Sequence, residues 1–284
     1  MKLSVADNNS KKLGPFLCDA IEKSQDVRIA VAFISNKGIN FIRKSLEYEL
    51  LNLGTIEFLI GLDINSTEPK AIQSLFDLQK ISESLELYCY ASLEPASIYH
   101  PKMYLCRNND DIIAILGSSN LTEGGLVNNI EINIIIESNE KEEIISDIYD
   151  TYNKLKFHPK RVIPDQEFLD IYFDLWLIEK KSAKIKSKDR SYQELKTSFQ
   201  KKVESLQRPK PSLRDLVGWP KIVYERLPEK DFSNEQIYKF EKEFQDMYPE
   251  NKNIRAKIRQ QLQVLRDMGL IRHLGRSHWK KVGY

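Results

Sequence analysis

The chain has 284 residues, 41% of them hydrophobic and 30% charged, which suits about two packed domains and excludes global disorder. Its net charge of +2 hides an asymmetry: residues 1–175 hold 17 Lys and Arg against 27 Asp and Glu, a net −10, whereas residues 176–284 hold 26 against 14, a net +12. The apolar runs are strand-sized and no apolar signal core opens the chain, which argues against a membrane span or export; Cys18, Cys89 and Cys106 are widely spaced and read as reduced thiols of a cytoplasmic protein.

In chain order, residues 13–24 carry a helical pattern and 27–35 (VRIAVAFIS) a buried strand rich in β-branched residues. Residues 36–53 are helical and stop at Gly54, a natural C-terminal signal. A strand over 55–62 and a helix over 69–82 follow. Strands are then predicted over 85–90, 102–106, 111–116 and 130–137, and a helix over 141–156. Strands alternating with helices predict an α/β domain over 1–175, a mixed sheet flanked by helices. Beyond residue 166 strand signals fade. Helices over 168–188 and 191–206, with the basic stretch 180–190 between them, make 176–210 a helical linker. Two prolines in RPKPSL (208–213) mark a boundary before a third segment, 211–284.

His100-Pro101-Lys102 opens one predicted strand, Gly117-Ser118-Ser119-Asn120 closes the next, and Glu131 lies on the one after. Residues two apart on a strand share a face, so His100 and Lys102 can address one group. Phosphodiester cleavage needs a nucleophile, an acid for the leaving oxygen, and cations or donors for the phosphoryl oxygens. Histidine can supply the first two, Lys the charge, and Ser and Asn neutral hydrogen bonds, while Glu can hold a histidine tautomer. The set contains no cluster of carboxylates arranged for Mg²⁺, so neither a metal nor another cofactor is expected. Read singly, a His before Pro and GSSN are ordinary turn residues and Glu131 an exposed face residue. The functional reading comes from their order on successive strands.

The segment HPKMYLCRNNDDIIAILGSSNLTEGGLVNNIE resembles the active-site motif of the phospholipase D superfamily, closest to its bacterial nucleases and type II restriction endonucleases. The resemblance implies His100 as nucleophile, Lys102 as phosphate-binding lysine, Ser118 and Asn120 as phosphate ligands, and Glu131 as the residue that orients histidine. It departs at Arg107, where the superfamily often has Asp. That departure weakens a lipid-hydrolase reading more than a nuclease one. The superfamily's chemistry uses two histidines, and a single HxK…GSxN set is present here. A homodimer with a shared site is therefore expected.

In the basic segment, residues 220–226 read as a helix. Ser233 with Gln236 forms a capping box opening a helix to about residue 247, and Asn253 starts a helix closed by Gly269. Ile254, Ile258, Leu262 and Leu265 form its apolar stripe. Two short strands around a Gly-containing turn follow within 270–282. From pattern alone the alternatives are a Lys-rich helical oligomerisation module and a helix–helix–recognition helix–wing array. NIRAKIRQQLQVLRDMGLIRHLGR resembles the C-terminal winged-helix domain of DpnI-type restriction enzymes, which implies double-stranded DNA as partner. Arg255, Lys257, Arg259, Gln260, Gln263, Arg272, Arg276 and Lys280 are the candidate DNA-binding residues, since Arg and Gln read base edges.

Together these readings predict a phospholipase D-like α/β domain, a helical linker and a winged helix-turn-helix domain. The expected activity is that of a metal-independent, site-specific DNA endonuclease of the restriction type, working with a cognate DNA methyltransferase and away from membranes. A nonspecific nuclease or repair phosphodiesterase, or a catalytically retired DNA-binding dimer, is the alternative.

Overall fold

The computed structural model describes residues 1–62, 66–92, 99–181 and 190–282. The chain divides into two compact units. The first comprises Lys2–Glu137 and His158–Pro209, the second Ser138–Phe157 and Lys210–Tyr284, with Met1.

The first unit is built on a sheet of β1 (Lys2–Ala6), β2 (Asp26–Val31), β3 (Thr55–Gly61), β4 (Leu85–Tyr90), β5 (Lys102–Asn108), β6 (Asp111–Gly117), β7 (Asn133–Asn139) and β8 (Arg161–Val162), in spatial order β1-β7-β6-β5-β2-β3-β4-β8. β2, β3 and β4 run parallel, and β5 and β6 return antiparallel, so the sheet is mixed as expected. Its first three helices are α1 (Leu13–Glu22), α2 (Asn36–Leu51) and α3 (Pro69–Ile81). Alternate residues Val27, Ile29 and Val31 of β2 and Ile56, Phe58 and Ile60 of β3 enter the core with Leu17, Ile39, Ile42, Leu46 and Leu75 of these helices. The strand signal over 27–35 ends early, at Val31, because the chain then turns into the site region. β1 escapes sequence reading: it is a short edge strand, half exposed, that becomes a strand by pairing with β7.

The central strands carry buried charge. Arg28 donates from Nε to Asp26 at 3.0 Å, and Arg107, opposite Asp26 in the β2–β5 register, reaches the same carboxylate at 3.4 Å. The residue that departs from the superfamily pattern thus has a structural partner.

Residues 176–210, expected as a linker, are corrected by the structure. α5 (Gln166–Lys181) and α6 (Arg190–Ser205) belong to the first unit, and Tyr192, Phe199 and Leu206 lie in its core with Phe168 and Tyr172. Apolar spacing along α6 marks a buried face, but composition alone reads this Lys-rich stretch as solvated. Most of the basic stretch 180–190 lies outside the described residues.

The second unit contains α4 (Glu143–Lys156), which the sequence had placed in the α/β domain. Its buried polar side chains have partners in the C-terminal segment. Lys156 pairs with Asp215 at 2.8 Å, Asn153 donates to Asp215 O at 2.7 Å, and the Trp219 N–H donates to Ser146 Oγ at 3.1 Å. Next come α7 (Trp219–Glu225), β9 (Phe232–Ser233), α8 (Asn234–Tyr238), α9 (Glu241–Met247), α10 (Ile254–Asp267), β10 (Ile271–Gly275) and β11 (His278–Lys281). The Ser233–Gln236 capping box is present. The single helix expected from residue 233 to 247 is instead two. Phe240 N–H turns back to Ile237 O at 3.0 Å, a three-residue step that breaks the helical ladder. Gly269 ends α10 at φ +78°, where a side chain would be strained. β11 pairs with both β10 and β9, and Trp279 packs inward, donating from Nε1 to Asn234 Oδ1 at 2.7 Å. Ile254, Ile258, Leu262 and Leu265 fill the core beneath Trp219, whose ring stacks on Tyr248 at 4.3 Å. Among the described residues no helix is long and apolar enough to cross a membrane.

Candidate functional site

Strand register brings the candidate residues of the first unit to one sheet edge. In the antiparallel β5–β6 ladder Met103 faces Leu116, so Lys102 at the start of β5 lies beside Gly117 at the end of β6. The chain returns into β7 at the same edge, where Ser118 N–H donates to Ile132 O at 3.0 Å. His100, Lys102, Ser118, Asn120 and Glu131 thus gather from three chain segments.

Each is held by identifiable contacts. His100 is exposed, with its ring edge-on to Phe33 at 5.3 Å. Lys102 is largely buried; its ammonium lies against the His100 ring and donates to His100 O at 3.1 Å. Burial holds its pKa below the ordinary lysine value, and the negative charge of Glu131 works against that shift. An incoming phosphate would add to the effect of Glu131 and favour the charged ammonium. Asn120 accepts from Phe33 N–H through Oδ1 at 3.1 Å, so its Nδ2 remains as a donor. Gly117 leaves no room for a Cβ, which would come within 2.3 Å of Ile132 O. Gly38 does the same for α2, bringing its first turn against Leu121 O at the end of the GSSN loop.

Two placements differ from what the resemblance implies. Ser118 Oγ donates to Glu131 Oε2 and accepts from Ile132 N–H at 2.9 Å, so its hydroxyl is already engaged. The other Glu131 oxygen accepts from Asn129 Nδ2 at 3.3 Å. In this geometry Glu131 positions Ser118, and its hydrogen bonds go to Ser118 and Asn129 instead of His100.

Sequence reading missed the supports. Asn133, fully buried, accepts from Ser119 N–H at 3.2 Å and donates to Ser119 Oγ at 2.9 Å. Tyr104 OH donates to Ser119 O at 2.9 Å, and Phe33 flanks both His100 and Lys102. A polar Asn amid the isoleucines of β7 was the available signal. Among the described residues no group of three or more His, Cys, Asp or Glu is arranged to hold a metal ion.

In the second unit Arg255, Arg259, Gln260 and Gln263 lie on the exposed face of α10, and Arg272, Arg276 and Lys280 are exposed on the hairpin. Arg255 pairs with Glu241 at 2.8 Å and Arg259 donates to Tyr238 OH at 3.1 Å, so both are oriented in advance. Lys257 is a correction. It is buried, and its ammonium pairs with Glu143 at 3.0 Å and Asp147 at 3.2 Å on α4, which removes it from the exposed face. A helical wheel places it at the border of that face, and the carboxylates that capture it lie 110 or more residues away in sequence.

Residues 17–168 match a family model described as cardiolipin synthase, PLD-like domain, and residues 221–281 one described as Dam-replacing HTH domain. Among solved structures, NucT from Helicobacter pylori is 15% identical, with 54% of this chain and 94% of that chain covered and a TM-score of 0.42. Nuc from Salmonella typhimurium, a phospholipase D family member, is 18% identical over 54% of this chain and 92% of that one, with a TM-score of 0.42. Phosphatidylserine synthase from Haemophilus influenzae Rd KW20 is 14% identical over 65% of this chain and 46% of that one, with a TM-score of 0.45.

Proposed function

The chain belongs to the PLD-like domain family, and from that membership we propose that it is a site-specific, metal-independent double-stranded DNA endonuclease acting as a homodimer. The observation that carries this reading is the joining, in one chain, of the His100–Lys102–Ser118–Asn120–Glu131 edge with a winged-helix module that exposes Arg259, Gln260 and Gln263 on α10. The first is chemistry for a phosphodiester and the second a reader of duplex grooves.

In the proposed reaction, His100 of one protomer attacks phosphorus. A P–N bond forms, and the P–O bond to the leaving deoxyribose oxygen breaks. The equivalent histidine of the second copy gives that oxygen its proton. Water then attacks the phosphohistidine, yields its proton to the second histidine and releases the phosphate, restoring His100. Lys102 and the Asn120 amide offset charge on the phosphoryl oxygens. No step needs a metal-activated water. Purified protein incubated with genomic DNA in excess EDTA is expected to give discrete bands. A smear would point to a nonspecific nuclease, strict dependence on Mg²⁺ to another chemistry, and intact DNA to a retired enzyme. Cutting at defined sites also requires that the host's own sites be protected, the role of a partner methyltransferase.

The dimer reading gains support from an apolar strip beside the site. Leu3, Val5, Ile130, Ile132 and Ile134 are 48–93% exposed, with Val5 opposite Ile134 in the β1–β7 register and Ile130 and Ile132 flanking Glu131. Exposed aliphatic patches of this kind mark interfaces. Sedimentation of the wild-type chain is expected at twice 33.2 kDa. Val5→Glu is expected to sediment as a folded monomer and to lose cleavage. A Val5→Glu dimer would move the interface elsewhere, and a fully active wild-type monomer would contradict the shared site.

A further inference from the structure

One corner of the sheet edge that carries His100 is basic. β8 pairs with β4 so that Arg161 lies opposite Tyr90. The Arg161 side chain is fully buried. It donates to Ile60 O at 3.2 Å, and its guanidinium carbon lies 4.5 Å from the centroid of the Tyr99 ring and 5.6 Å from that of Tyr90. The two tyrosine rings stack at 5.0 Å, and Tyr99 immediately precedes His100. Around this anchor stand three groups that reach solvent. His158 is exposed and lies 5.1 Å from Tyr90, ring to ring. Lys160 is half-buried and donates to Ser92 Oγ at 3.1 Å. Arg208 is exposed and its Nη1 donates to Arg161 O at 3.4 Å.

We infer that His158, Lys160 and Arg208 form a second phosphate-binding subsite, which holds the DNA backbone at a distance from the scissile bond. In the sheet order β8 stands beyond β2, β3 and β4 from β5, and Tyr99, next to His100, reaches toward it. The buried Arg161–Tyr90–Tyr99 stack makes the corner rigid and fixes it to the segment that presents His100. Burial, then the charges of Arg161 and Lys160, hold His158 below the ordinary imidazole pKa.

The subsite rests on the nuclease reading for its purpose, but its test does not need cleavage. In full-length protein carrying His100→Ala, binding of a fluorescent 30-bp duplex is followed by anisotropy from 50 to 200 mM NaCl. Adding Lys160→Gln and Arg208→Gln is expected to weaken binding about tenfold or more at low salt and to flatten the slope of log K against log salt by about 1.8, two contacts at about 0.9 each. Lys160→Arg with Arg208→Lys is expected to keep the slope. An unchanged slope in a variant with wild-type melting behaviour overturns the subsite. So does a loss that the conservative pair fails to rescue, because that points to a scaffolding role. Failure of the nuclease reading would show separately, as intact DNA with the native His100.

Discussion

His100→Ala is expected to reduce cleavage at least about ten-thousandfold while leaving folding and DNA binding nearly intact. A nucleophile that forms the covalent intermediate has no substitute nearby, and losses of this size follow removal of such groups. The cost to stability is small because the side chain is exposed and packs only edge-on to Phe33 among its described ring contacts. Surface substitutions of this kind change stability by about 0.5 kcal/mol or less. Cleavage of a labelled target duplex, duplex binding by anisotropy and a thermal melt read the three quantities. Lys102→Ala is the companion variant and should also lose cleavage, because the transition state loses its main cation. Substantial cleavage by folded, contaminant-free His100→Ala would remove this residue from its role and with it the phosphohistidine route.

The second large effect lies far from the chemistry. Lys156→Ala is expected to destabilise the second unit by about 3–5 kcal/mol, the usual cost of leaving one member of a buried ion pair alone. Lys156 and Asp215 meet at 2.8 Å with both side chains nearly inaccessible. The other Asp215 oxygen accepts from Ser212 N–H at 2.7 Å and Ser212 Oγ at 3.1 Å, so the carboxylate cannot turn to another cation without breaking its own cap. Urea unfolding followed by tryptophan fluorescence measures the loss, since Trp219 and Trp279 both lie in this unit's core. Replacing Lys156 and Asp215 together by apolar residues should recover much of it. A loss below about 1 kcal/mol would mean that α4 is not integral to the unit. The same contacts bear on dissection of the protein: a cut near residue 207 separates Asp215 from Lys156 and Lys257 from Glu143 and Asp147. Division of labour between the halves is therefore better tested in the full chain.

What the sequence alone determined was local. The β-branched content of the strand that begins at 27, the Ser233–Gln236 cap and Gly269 each encode their conformation within a few residues and appear in the structure, whereas the strand ends at Val31 and the helix expected to stop at Gly54 ends at Leu51, with Leu53 taking the left-handed turn at φ +63°. The candidate site was legible for a related reason. HPK opens one strand and GSSN closes the next, and antiparallel neighbours return to the same edge, so chain order alone places them together. Tertiary structure decided what depends on distant partners. Lys257 has the composition of a DNA contact and becomes an internal cation because α4 offers two carboxylates. Helix α4 reads as one more layer of the α/β domain, but its Ser146, Asn153 and Lys156 meet partners 59–73 residues later. Residues 176–210 read as a linker until Tyr192, Phe199 and Leu206 find the core. Periodicity reports which face of an element is apolar; a polar group's partner is set by long-range packing, where burial makes an unpaired charge costly enough to fix the pairing.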